Sequence, residues 1–214
     1  MALDESGVPI TTPGHPCMMT GHEPRQVGLA PAPAAHTPYD GKGGSMDIQH
    51  RTLREEENGD LDAIARVHQA AFERSAEAQL VLELRAEGLA LASHVALEGD
   101  RLVAHALYSR MHVDTPGGPV AAVALGPIAV IPERQGKGLG GAVIRAGLAA
   151  IRARGERLIL VLGHPAYYPR FGFDPAVGAR ISAPWSGSAW MGMDLRGEPV
   201  TGSARYPEPW SKVD

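Results

Sequence analysis

From residue 48 onward the chain alternates apolar and polar positions in regular patterns. Residues 48–54 read as a strand, and an acidic turn (Glu55, Glu56, Glu57, Asn58, Gly59) follows. Leu61, Ile64, Ala65, His68, Ala71 and Phe72 then recur at spacings of three and four, one face of a helix that Asp60 or Asn58 can cap. Leu80, Val81 and Leu84 mark a second amphipathic helix over 76–87. Strands are expected at 94–98, 101–112 and 120–131, with Gly99-Asp100 and Pro116-Gly117-Gly118-Pro119 as the turns of an antiparallel meander. After residue 131 the order becomes loop, helix (139–152) and strand (158–162). That strand, Leu-Ile-Leu-Val-Leu, has no polar alternation, the mark of burial on both faces and of a helix-covered central sheet. Weaker strand signals lie near Phe173 and at 190–195. The expected architecture is α/β (α+β), a mixed sheet with helices on both faces.

The first 45 residues break this order. Leu3, Val8, Ile10, Val27 and Leu29 are their only large aliphatics, set among seven of the 26 glycines and seven of the 18 prolines of the 214-residue chain. So little apolar surface does not offset ordering entropy, and the reading is a disordered extension over 1–45 that ends in a flexible 40–45 linker. A folded domain over 46–197 and a C-terminal tail over 198–214 complete the division. His15, His22 and His36 are irregularly spaced and do not suggest a metal site.

Charge and cysteine content narrow the function classes. A formal charge of −4 and a pI near 6.1 give no basic field for a nucleic-acid partner. The single cysteine, Cys17, precludes an internal disulfide and leaves the folded part without a thiol nucleophile, which suits a reducing compartment. The longest apolar run, 120–131, is broken by Gly126-Pro127 and falls short of the roughly 20 residues that span a bilayer. The start of the chain has no basic-then-apolar leader. The expectation is a cytoplasmic protein with no membrane partner.

The chemistry concentrates in 125–141. Proline cannot donate to a strand ladder and glycine weakens one, so Gly126-Pro127 predicts a bulge where the strand leaves its neighbour. Unpaired backbone there can pair with a ligand that carries amides, such as a pantetheine arm. Gln135-Gly136-Lys137-Gly138-Leu139-Gly140 then runs straight into an apolar helix. Its amides and the helix N-terminus form an anion cradle, with Arg134 and Lys137 as adjacent cations. Gly136, Gly138 and Gly141 also fit the G-x-G-x-x-G of a dinucleotide fold. However, that motif follows the first strand closely and has an acid at the end of the next one, where this chain has Leu162-Gly163-His164.

Gln135-x-x-Gly138-x-Gly140 after an apolar strand, with Tyr168-Pro-Arg-Phe-Gly-Phe173 some 30 residues later, resembles the GNAT superfamily of N-acetyltransferases. The resemblance spans about 48–195. It implies a mostly antiparallel sheet whose strands 4 and 5 splay around acetyl-CoA, used as co-substrate without a metal. The implied cofactor contacts are Ile128, Ala129 and Val130 for pantetheine and Arg134, Gln135, Gly136, Lys137, Gly138, Leu139 and Gly140 for the pyrophosphate. Tyr168 matches the family tyrosine that protonates the departing thiolate, and Tyr167 reads as a packing residue. The sequence does not name the base: family members often use a Glu near the fourth strand, where this chain has no acid before Glu133. His164, at the end of a buried strand, is the titratable candidate, with capping of the strand end as its other reading. His105, Tyr108 and His112 are placed on the acceptor side. The acceptor is a small-molecule or peptide amine, and the assembly a monomer or homodimer. A non-catalytic acyl-CoA sensor and a NAD-dependent oxidoreductase are the other readings.

Overall fold

The computed structural model describes residues 51–184 and 187–213. The extension and linker expected over 1–45, the beginning of the strand expected over 48–54, and Trp185 lie outside the described residues. In chain order the elements are β1 (Arg51–Glu55), α1 (Leu61–Phe72), α2 (Ala76–Ala86), β2 (Ala90–Glu98), β3 (Arg101–Thr115), β4 (Gly118–Val130), α3 (Leu139–Ala153), β5 (Leu158–Leu162), α4 (Pro175–Gly178), β6 (Ile181–Ser182), β7 (Trp190–Asp194) and β8 (Gly202–Arg205). The sheet runs β1-β2-β3-β4-β5-β7, antiparallel except for β4 against β5.

Alternation along β3 sorts its neighbours into two layers. Val103 and Leu107 pack with Ile64, Val67, Leu80 and Leu84 of α1 and α2. Tyr108 packs on the opposite face with Ile144, Leu148 and Ile151 of α3. The all-apolar β5 lies between these layers, with Ile159 and Val161 on the α3 side and Leu158 and Leu160 in a third cluster with Met111, Ile181 and Trp190. Burial on both faces, expected from its missing alternation, is what the sheet requires of an inner strand.

Residues 198–213 are more than a tail. β8 pairs antiparallel with β3 at His112, Val113 and Asp114, past the point where β2 stops, and β6 pairs parallel with β8. The following turn of helix, Glu208–Lys212, lies against α2: Lys212 Nζ donates to Glu83 Oε2 at 2.9 Å, and Pro209 and Val213 are buried.

Candidate active site

Gly126-Pro127 does what the sequence led us to expect. Ala106 lies opposite Ile128 and Tyr108 opposite Leu125, so Gly126 and Pro127 together face the single residue Leu107 as a bulge. Gly126 has φ +145°, a conformation open to glycine. β4 and β5 pair only at Val123–Ile159 and Ala124–Leu160, and beyond the bulge they part.

The parting leaves backbone groups without a strand. Ile131 N–H donates to Val103 O on β3. Because successive residues of a strand turn to opposite edges, Ile128 and Val130 direct their N–H and C=O into the gap, whereas Ala129 turns toward His105 of β3. The Gln135 side chain bridges to this edge, its Nε2 donating to Val130 O at 3.1 Å. Ile128 and Val130 are half-buried; Ala129 is buried in the α1 cluster.

At the mouth of the gap, Gly136 (φ +74°) and Gly138 (φ +83°) turn the chain so that Gly138 caps α3. Among the described residues no side chain crowds either glycine, and the first turn of α3 contains no acid. Free N–H groups and the helix dipole therefore face an open surface suited to an anion. Of the two cations expected there, Lys137 is exposed and donates to Glu133 O at 3.1 Å, and Arg134 is held by Glu98 of β2. The Leu139 side chain is buried and anchors the start of the helix. The cradle is thus chiefly backbone.

Tyr168 stands across the gap from the bulge. Ala124 pairs with Leu160, so two residues further on Leu162 is level with Gly126, and Gly163 follows. The Tyr168 ring packs against Gly163, where an added Cβ would come within 2.0 Å of it. Phe173 meets that ring edge-on at 5.9 Å and Tyr167 at 5.3 Å. Burial, with the neighbouring Tyr167 adding to it, pushes the Tyr168 phenol well above the ordinary tyrosine range, so it stays protonated at neutral pH.

The other sequence candidates separate. His164 is exposed, and its Nδ1 accepts from Ala166 N–H at 3.3 Å, capping the turn that leads into Tyr168. In the neutral ring this places the proton on Nε2 and leaves no free lone pair. His105, Tyr108 and His112 do not gather on one side. His105 is sealed beneath α1, Tyr108 faces α3 with its hydroxyl donating to Ile144 O at 2.7 Å, and His112 pairs across from Arg205 of β8. The reason is strand parity: residue 105 and residues 108 and 112 point to opposite faces.

Two residues acquire roles that the sequence reading did not give them. Tyr167 turns its hydroxyl to within 3.2 Å of where a Gly140 Cβ would sit, at the first turn of α3. Trp210 places its ring edge 3.1 Å from where a Gly126 Cβ would sit, on the face of the bulge away from α3, and its Nε1 donates to Ser109 Oγ at 3.3 Å. Tyr206 packs on that tryptophan at 5.1 Å. The available signal was the clustering of Tyr206 and Trp210 in a segment that is otherwise turn-like.

Fold and site together define a mixed-sheet domain parted at one seam, with an anion cradle at the mouth of the seam. The sequence profile of the acetyltransferase (GNAT) domain matches residues 52–176. The uncharacterized N-acetyltransferase YjhQ of Escherichia coli K12 is 36% identical over 179 residues, covering 77% of this chain and 96% of YjhQ. The uncharacterized N-acetyltransferase YhbS of the same strain is 31% identical over 158 residues, covering 71% and 92%. Among solved structures, a GNAT family acetyltransferase from Brucella melitensis in complex with acetyl-CoA matches with a TM-score of 0.65 and 30% identity, over 75% of this chain and 98% of that one. YhbS in complex with CoA matches with a TM-score of 0.67 and 29% identity, over 76% and 92%. The chain belongs to the GNAT acetyltransferase family.

Proposed function

We propose that this chain is an N-acetyltransferase that passes the acetyl group of acetyl-CoA directly to an amine within a ternary complex. The observation that carries this reading is the free edge of β4 at Ile128 and Val130, which opens beside an acid-free helix N-terminus at Gly138–Gly140. An extended ligand with amides along its length and phosphates at one end is complementary to that pair of features. The complexes of the two related structures with acetyl-CoA and CoA support the same ligand.

The chain's residues divide the work. Amides of 136–140 and Lys137 hold the pyrophosphate, and the edge of Ile128 and Val130 pairs with the pantetheine amides. This brings the thioester to the bulge, opposite Tyr168. The amine nitrogen attacks the carbonyl carbon, the C–S bond breaks, and the departing sulfur takes the Tyr168 proton. The amine gives up one proton, which restores the phenol's proton by way of solvent. His164 accepts a proton only in a conformer that releases Ala166 N–H.

The test is thermal unfolding followed by turnover. Acetyl-CoA at about 100 times its Kd should stabilise the protein by about 2.7 kcal/mol, and NAD should not. A panel of primary amines should then release free CoA thiol. Stabilisation by NAD alone would overturn the reading, and binding without thiol release from any amine would leave an acyl-CoA sensor in its place.

A further inference from the structure

We infer that Tyr167 is a cofactor clamp: its phenol closes over the pantetheine arm between the first turn of α3 and the free edge of β4, and its hydroxyl donates to an amide carbonyl of that arm. This rests on the acetyl-CoA reading above and assigns a residue that neither the family motif nor the sequence pattern singled out.

The two anchors of the site are the cradle at 136–140 and the β4 edge that runs back from Val130 to the bulge, a stretch of about 13 Å at strand rise. A ligand held at both ends must pass between Val130 and Gly140. An ideal Cβ on Gly140 would sit 3.2 Å from the Tyr167 hydroxyl and 3.4 Å from Val130 Cγ2, so the phenol stands in that lane. Only a residue without a side chain at 140 leaves the lane this width.

The ring is held upright on its other sides. Arg170 lies over it at 4.7 Å, and Tyr168 and Phe171 meet it edge-on at 5.3 and 5.4 Å. Those contacts fix the ring and leave its tip free. The hydroxyl has no hydrogen-bond partner among the described residues, and Tyr167 is half-buried. The neighbouring tyrosine on β3 differs in this respect: Tyr108 is fully buried and its hydroxyl is bonded to Ile144 O. A tyrosine that only packs needs no hydroxyl aimed at a helix N-terminus. One that closes on a ligand carrying amides does.

The clamp touches the pantetheine half of the cofactor and not its nucleotide half, which sets the experiment. Binding of acetyl-CoA and of 3'-phosphoadenosine 5'-diphosphate would be measured by calorimetry on the full chain and on Tyr167→Phe and Tyr167→Ala. Tyr167→Ala is expected to weaken acetyl-CoA about tenfold or more and Tyr167→Phe about three- to fivefold, with the nucleotide unchanged within about twofold. Equal losses for both ligands, or none for acetyl-CoA, would overturn the clamp. Tyr167→Phe keeps the ring and its packing, so it reports on the hydroxyl even where the alanine variant unfolds. A wild-type chain that binds no acetyl-CoA would instead sink the proposed function, which separates the two failures.

Discussion

The parted seam and the layer beneath α1 use the same kinds of polar group in opposite ways. Beneath α1 a chain of side chains is closed on itself. Ser93 Oγ donates to Glu56, so it must accept from His105 Nε2–H at 2.8 Å. His105 Nδ1 is then an acceptor, and His68 Nε2–H donates to it at 2.8 Å. The row runs one way from α1 to Glu56, whose Oε1 forms an ion pair with Arg85 of α2 on the other side, and the His68 Nδ1 lone pair is left over. At the seam, by contrast, the backbone of Ile128 and Val130 and the first turn of α3 face a gap. Buried backbone groups are ordinarily paired, so a strand edge and a helix N-terminus that face the same gap are placed to meet a ligand. The contrast also shows why histidine content was a poor guide to this site. His68 and His105 serve the packing of α1, and the cradle is built from glycine backbone.

The sharpest way to break the contrast is to fill the open side. Gly138→Asp places a carboxylate at the cap of α3, where the ligand's phosphates are proposed to sit, at a residue with φ +83°. Acetyl-CoA stabilisation should vanish, a loss of a hundredfold or more in affinity. The strained backbone itself costs only about 1 kcal/mol in Tm measurements without ligand. Retained acetyl-CoA stabilisation would place the pyrophosphate elsewhere. Next comes the proposed proton donor: Tyr168→Phe should lower kcat about a hundredfold and leave the KM for acetyl-CoA within about twofold. An unchanged kcat would return Tyr168 to a packing role on Gly163.

How far these features were legible follows from how local their causes are. Gly126-Pro127 breaks the rules of a ladder in any context, and the glycine loop before an apolar helix needs only its own residues to be read. Both were visible in the chain. The divergence of Tyr167 from Tyr168 was not, because it depends on Gly163 admitting one ring and Gly140 facing the other hydroxyl, contacts made only when β5 and α3 meet. β8 was hidden for a similar reason. Gly202–Arg205 has no apolar period, and its partners lie on β3 and β6. His105, Tyr108 and His112 are a different case: parity along a strand was enough to separate them.

On the closed side the expected effect is smaller and depends on pH. Burial, with the neighbouring His105 adding to it, holds His68 well below the ordinary histidine value of 6.5. Burial also lowers His105, against the pull of Glu56 and Asp60 and with Arg85 adding to the lowering. His94, half-buried, is lowered by the same cause. The folded chain therefore stays neutral at these rings while the unfolded chain takes up protons, so stability is full above about pH 6.5 and is lost as pH falls below it. Glu56 is held below its ordinary value of 4.5 because His105, Ser93 and Arg85 outweigh its burial, and its contribution is lost only at lower pH. Between those limits each neutral histidine accounts for at most about 1.4 kcal/mol per pH unit. His68→Leu should make the fall of Tm from pH 6.5 to 5 shallower, and an unaltered slope would show that His68 does not stay neutral in the fold.

The smallest effect is expected where the two regions come nearest to each other in chemistry, at His164. It is a histidine beside the seam, yet its Nδ1 is already taken by Ala166 N–H. If that bond is its whole role, His164→Ala loses one exposed cap, lowers Tm slightly, and changes kcat/KM for an amine less than about threefold, with the pH profile in the same place. A loss of tenfold or more in kcat/KM in His164→Ala would instead show that the ring leaves Ala166 during turnover and takes the proton of the amine. That result would add one side-chain group to a site otherwise built from backbone and a phenol.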